Sequence, residues 1–385
     1  MSNASTARIR RAGASSGSPD VLTRELAAAL DDAGAACTMV FASPDLDREV
    51  LANAFRAHLR ADRVIGCTTA GEIGPGGLGA GGLVGFTLPA SDFRVVHACI
   101  PNVRALRFAD GEALVRELRD RLAAGGVTPT GRNTFAVLLI DGLSAREEVV
   151  VSATSSALRD IPLAGGSAGD GLRFHEAAVY ADGAFRSGSA VVALVQTDRP
   201  FVPLKIEHFV PGAVKMVVTE ADPSQRIVRE INGEPAAEEY ARLVGLEPGN
   251  LTAMAFATHP VVVQVGGRTY VRSIQKVNDD GSLTFFCAID EGVVLTLGES
   301  AGFVESLATG MAAIDRQIGP PELVIGFDCI LRRLEVERCD LEAPISQLFA
   351  DHRVIGFSTY GEQFNAMHVN QTFTGIAIGA QPAPR

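Results

Sequence analysis

The sequence predicts an α/β protein of two domains, with mixed sheets that carry helices and are built from repeated β-α-β-β units. Three observations carry that prediction. The segment from Asp62 to Leu88 recurs at a constant offset of 290, so that Arg63-Val64-Ile65-Gly66 matches Arg353-Val354-Ile355-Gly356 and Gly71-Glu72 matches Gly361-Glu362. A looser third copy begins near Asn133 and ends near Val195. In each copy, continuous apolar strands are separated by an amphipathic helix, the pattern of a sheet covered on at least one face.

Residues 1–20 are small, polar and basic, and are expected to form a disordered tail rather than a signal segment. The first copy then reads as strand 37–42, helix 46–59, strand 63–67, a Gly/Thr/Glu loop and a returning strand 83–88. The middle copy has strand 135–140, helix 145–158, the run 161–164 into Gly165-Gly166-Ser167-Ala168-Gly169-Asp170, and a return at 189–195. The last copy has strand 323–327, helix 345–350, strand 354–357, a loop and a return at 373–378. Between the second and third copies lies a different segment. Asp222-Pro223 predicts a helix over 224–229, and Pro235 opens another that ends at Val244. Strands follow over 253–257, 261–265, 270–277 and 283–286, then a long helix over 301–316. A boundary near Phe209 to Ala221 gives domains of residues 21–215 and 216–380.

A chain of 385 residues that is 47% hydrophobic has ample material for large cores. Its net charge of −11, with no long basic run, argues against a nucleic-acid partner. No run approaches the length of a membrane span, and the cysteines lie far apart without a C-x-x-C pair, so a reduced, cytoplasmic setting is expected. The absence of C-x-x-C-H excludes a thioether-linked haem.

The repeated loops are the first candidate site. Thr68, Thr69 and Glu72 in the first copy, Ser167 and Asp170 in the second, and Thr359, Tyr360, Glu362 and the nearby Asn370 in the third supply hydroxyls, acids and amides beside glycines that let a ligand approach backbone. The acids either bind a cationic group or hold their own loops through backbone N–H groups. Arg272 shares a strand face with Tyr270 and either takes a carboxylate or forms an internal salt bridge.

The ordered set Ile140-Asp141-Gly142-Leu143-Ser144, Gly165 to Asp170, Ile231-Asn232-Gly233, Tyr270-Val271-Arg272-Ser273-Ile274, Thr359-Tyr360-Gly361-Glu362 and His368-Val369-Asn370-Gln371-Thr372 resembles the FIST sensory family. The resemblance covers both domains, and the C-terminal run is most similar to the family's nitric-oxide-sensing branch. It implies a bacterial sensor that binds haem b non-covalently and regulates a partner histidine kinase. It also leaves open a sensor of a small polar metabolite such as an amino acid. A haem would need one neutral imidazole on iron, with cations for its propionates. His259, near Arg268 and Arg272, and His208, at the domain boundary, lead His368 as alternatives for that ligand. Gly298-Glu299-Ser300-Ala301-Gly302, after an apolar run and before a helix, raises a serine hydrolase through Ser300 as a further alternative. No His-Gly-Gly run accompanies it, and a helix cap is the competing role for Ser300.

Overall fold

The computed structural model describes residues 8–265 and 267–381. The first copy is longer than its sequence pattern suggests. It comprises β1 (Arg10–Ala14), α1 (Pro19–Leu30), β2 (Ala35–Ala42), α2 (Arg48–His58), β3 (Val64–Thr68), the hairpin of β4 (Glu72–Gly74) and β5 (Gly77–Gly79), and the return strand β6 (Leu83–Pro89). The second repeats this order as β7 (Phe93–Ile100), α3 (Phe108–Ala123), β8 (Thr134–Asp141), α4 (Glu147–Leu158), β9 (Leu163–Ala168), the hairpin of β10 (Val179–Ala181) and β11 (Ala184–Arg186), and β12 (Ala190–Thr197).

The third copy starts with β13 (Phe201–Ile206) and is then interrupted. The insert contains β14 (Phe209–Asp222), β15 (Ile227–Ile231), β16 (Glu234–Pro235), α5 (Ala236–Val244), α6 (Ala253–Thr258), β17 (Val261–Val265), β18 (Arg268–Arg272), β19 (Ile274–Val277), β20 (Leu283–Phe285) and β21 (Val294–Ser300). The copy resumes with α7 (Phe303–Ile318), β22 (Leu323–Cys329), α8 (Ile330–Arg338), α9 (Glu342–Asp351), β23 (Val354–Thr359), β24 (Glu362–Phe364), β25 (Met367–Val369) and β26 (Phe373–Ile378). The boundary read at 215/216 lies inside β14, the first strand of the insert.

Each copy builds a sheet in the same way. The parallel pairs β2–β3, β8–β9 and β22–β23 are flanked by antiparallel returns β6, β12 and β26, and the outer edges are taken by β1, β7 and β13. The opposite edge is completed by a hairpin from another copy. β10 pairs with β3, β24 with β9, and β4 with β23, so the hairpins are exchanged in a ring. Gly66, Gly165 and Gly356 hold equivalent places in the parallel pairs. A Cβ there would lie 1.9, 2.0 and 1.7 Å from the carbonyl oxygens of Val40, Leu138 and Gly326, closer than any side chain tolerates.

Strand periodicity of two then divides the core. Met39 and Phe41, Val137 and Leu139, and Ile325 and Phe327 point into one interior shared by all three sheets. Their alternating neighbours face helices: Val40 meets α1 and α2, Leu138 meets α3 and α4, and Val324 meets α7 and α9. The insert has its own core, in which Tyr240 and Phe256 pack on strands of a separate sheet. No helix among the described residues is long and apolar enough to cross a membrane.

Several expectations are corrected. The tail of residues 1–20 contains β1, paired with β6, and the start of α1, which Ser18 caps by accepting from the Val21 N–H at 3.4 Å. Residues 1–7 lie outside the described residues. The helix expected over 224–229 is a turn followed by β15, because the Asp222 carboxylate accepts from the N–H groups of Ser224 and Gln225 at 3.0 and 3.2 Å and closes an Asx turn. The strand expected over 253–257 is α6, capped by Thr252 through the Ala255 N–H at 3.4 Å. Residues 270–277 are two strands, β18 and β19, broken at Ser273.

Candidate functional site

The exchange of hairpins brings the three repeated loops together. Ala70 N–H donates to Ser358 O at 2.9 Å, and Ser358 N–H returns a bond to Gly71 O at 2.7 Å. Ser167 N–H donates to Gly361 O at 2.8 Å, Tyr360 N–H to Ser167 O at 3.1 Å, and Gly169 N–H to Thr68 O at 3.2 Å. Strand register makes Thr68, Ser167 and Ser358 equivalent, and all three are buried.

The loop acids hold the ring itself. Glu72 accepts from the Thr69 hydroxyl at 2.6 Å and the Gly82 N–H at 3.2 Å. Glu362 repeats this, accepting from the Thr359 hydroxyl and from the Thr372 N–H and hydroxyl at 3.2 and 2.8 Å. Burial raises both carboxyls, and Glu362 is pushed up to about 8 because the hydroxyl and amide bonds offset only part of its lost hydration. Asp170 differs. Burial works against its charge, but the Tyr360 hydroxyl and the N–H groups of Glu176, His175 and Phe174 outweigh it and hold this carboxyl below its usual range. Those amides lie 2.9, 2.8 and 2.8 Å from the carboxylate oxygens. Tyr360 is the keystone: it is buried, packs against Gly142 and Gly169, donates its single hydroxyl proton to Asp170, accepts from the Asp170 N–H at 3.1 Å and lies 2.9 Å from Gly171 O.

A cleft of about 560 Å³ opens beside this ring, lined by Pro44, Arg48, Thr68, Asp170, Arg173, Phe174, His175 and Glu176. A second, of about 440 Å³, shares Pro44, Asp170 and Arg173 and extends past Thr69 and Glu72 towards Arg333. Two ion pairs cross the region, Arg48–Glu176 and Arg173–Asp45, the latter at 3.1 Å. Both are solvent-exposed, so they contribute little and exchange readily for other partners. Sequence reasoning found Thr68 and Asp170 but missed Arg48, Arg173, His175 and Glu176. The cluster Asp170-Gly171-Leu172-Arg173-Phe174-His175-Glu176, with its charges directly after a loop acid, was the available signal.

The three histidines weighed as iron ligands, His208, His259 and His368, do not line this cleft. His208 is buried, its ring tilted against those of Phe209 and Phe303 with centroids 4.1 and 4.6 Å away, with Nδ1 accepting from Arg332 at 2.8 Å and Nε2 donating to Glu335 at 2.8 Å. Neither ring nitrogen is free for a metal. His368 is buried against Gly361, with Gln363 and Phe286 O at 3.5 and 3.4 Å, and burial lowers its pKa. Asn370 is buried beside it and neither atom of its amide has a partner among the described residues. His259 ends α6, half-buried, with Nδ1 placed 3.1 Å from Ala255 O and 3.0 Å from the Thr258 hydroxyl. Its Nε2 makes no hydrogen bond among the described residues, so of these three imidazoles His259 is the one with an uncommitted ring nitrogen.

Tyr270 lies under the Lys205 ammonium, 5.0 Å from its ring centroid, and Arg272 neighbours the buried Cys287 thiol, whose pKa burial raises. Ser300 is exposed and accepts from the Gly302 N–H at 3.3 Å; Gly302 is itself the N-cap of α7, which has no side-chain cap, so the cap role expected for Ser300 is corrected to a bond within the turn before the helix.

Residues 36–234 match the FIST N domain and residues 236–365 the FIST C domain. No curated protein matches the chain. Among solved structures, a cyanuric acid hydrolase from A. caulinodans is similar over 97% of this chain and 99% of that chain, at 9% sequence identity and a TM-score of 0.36. The two domain matches together span most of the described residues, and the chain belongs to the FIST family of sensor-type domains.

Proposed function

We propose that the chain senses a small polar metabolite, such as an amino acid, in the cleft between the first and second loops. The observation that carries this reading is the saturation of Asp170: its carboxylate is consumed in folding residues 174–176 into a wall, which leaves Arg48, Arg173, His175 and Glu176 to meet a ligand. A cleft of about 560 Å³ suits one small molecule. The lining carries both signs of charge, so a zwitterion can replace each weak ion pair with a charge-assisted contact of its own. The test is thermal stabilisation by the common amino acids and small organic acids. At least one should raise Tm in the native chain, and Arg48→Ala with Arg173→Ala should abolish the shift. A complete absence of stabilising probes would sink this reading.

A second reading has one observation in its favour, the unengaged Nε2 of His259. Here the chain binds haem b through His259, responds to nitric oxide and acts on a partner histidine kinase, in a cytoplasmic setting. The protein's part is to hold the imidazole by Nδ1 at Ala255 O, which leaves Nε2 as the nitrogen for the bond. Haemin titration followed by absorption tests it. Stoichiometric uptake lost in His259→Ala, and kept in His208→Ala and His368→Ala, is the required outcome.

A further inference from the structure

We infer that Phe174 is the residue through which occupancy of the cleft reaches the inserted sheet, an inference that rests on the cleft being the ligand site. Phe174 lines the cleft with φ at 56°, a conformation that bulky L-residues rarely adopt. Such a residue stays in place only while its surroundings over-determine it. Asp170 fixes its N–H at 2.8 Å, and its ring lies 4.8 Å from Tyr360 and 5.9 Å from Phe286. Tyr360 belongs to the loop ring, whereas Phe286 belongs to the insert.

Phe286 is itself clamped. Its N–H donates to Ser273 O at 2.9 Å and its carbonyl accepts from Arg226 at 2.6 Å. Two residues on, the Ala288 N–H donates to Glu148 of α4 at 2.6 Å. Arg226 bridges back to α4 through Glu147 at 2.6 Å and through Glu148. Residues 286–288 are therefore held between α4 and an aromatic cluster whose other side is the cleft wall. A ligand that prefers a different position of Phe174 removes one side of that clamp. It thereby biases the insert between two arrangements, provided its affinity for the two differs.

Hydrogen exchange on the full ligand-free chain tests the link. Phe174→Ala removes the ring and keeps the strained backbone; Phe174→Gly removes the ring and accepts the positive φ. Both should speed exchange at the Phe286 and Ala288 amides by about tenfold or more, with the β8 amides unchanged as a measure of global unfolding. Phe286→Leu, a mild change, should in turn speed exchange at the amides of residues 174–176, since coupling is reciprocal. Unchanged exchange at both ends overturns the link. The amino-acid probes separate the two ideas. Probe binding with no exchange coupling overturns this inference and keeps the cleft as a site; coupling with no probe binding overturns the cleft and, with it, any role for Phe174 in signalling occupancy.

Discussion

Glu72 and Glu362 stand 290 residues apart in equivalent places, yet their environments separate them. Glu72 keeps the Arg333 guanidinium nearby, whereas Glu362 is fully buried with Asp328 as its charged neighbour. With a native value of about 8 against an ordinary 4.5, Glu362 keeps a proton in the folded chain that the unfolded chain has already released. Stability from this group is therefore greatest below about pH 4.5 and is lost as pH rises towards 8, by at most ~1.4 kcal/mol per pH unit. Urea unfolding between those limits should show the slope in the native chain and not in Glu362→Gln; equal slopes would remove Glu362 from the account. Tyr360→Phe strips one donor from the buried Asp170 carboxylate and should cost about 1–3 kcal/mol in the same assay. The paired Thr and Glu residues were legible in the sequence because the offset exposes them. Arg48 and Arg173 were not, since nothing in sequence places the first turn of α2 beside a loop that starts more than a hundred residues later.

The parallel pairs impose the strictest local demand on the elements. Gly66, Gly165 and Gly356 each face a carbonyl of the neighbouring strand, so alanine at any of them has to push two hydrogen-bonded strands apart. Each substitution should destabilise by roughly 1–3 kcal/mol, while Gly76→Ala, which meets open space, should be near neutral. Calorimetry on the four variants checks this, and equal costs across all four would contradict the register. The strands of the three sheets were readable from apolar runs, because burial on both faces leaves no other pattern. The insert was harder. Ala253-Met254-Ala255-Phe256-Ala257 has an apolar run without strand-forming branches, and its helix depends on the Thr252 cap. Asp222-Pro223 suits either a helix start or an Asx turn, and the side-chain bonds to Ser224 and Gln225 decide for the turn. The three edge strands β1, β7 and β13 escaped notice because each lies outside the matched segments.

At the scale of the molecule, the insert meets the three-sheet body through a buried charge cluster. Arg226 joins Glu147 and Glu148, and removing the cation leaves a fully buried carboxylate without its partner. Arg226→Ala should therefore cost about 3–5 kcal/mol, read by denaturant unfolding, and should raise protease sensitivity across residues 286–288. The sequence contains no Trp, so Phe174→Trp places a single indole at the cleft wall. Its emission should shift when an amino-acid probe binds and stay constant when none does. The repeat was visible in sequence as three neighbouring units, but their mutual exchange was not, because pairings such as Ile73 with Gly356 join distant positions. That exchange has a consequence for how the protein comes into being. During synthesis, β4 and β5 emerge long before their partner β23, so the hairpin of the first unit must wait with β4 unpaired on its outer side until nearly the whole chain has left the ribosome. Production of residues 8–206 alone should give aggregates, whereas co-production with residues 207–381 should recover soluble, assembled halves.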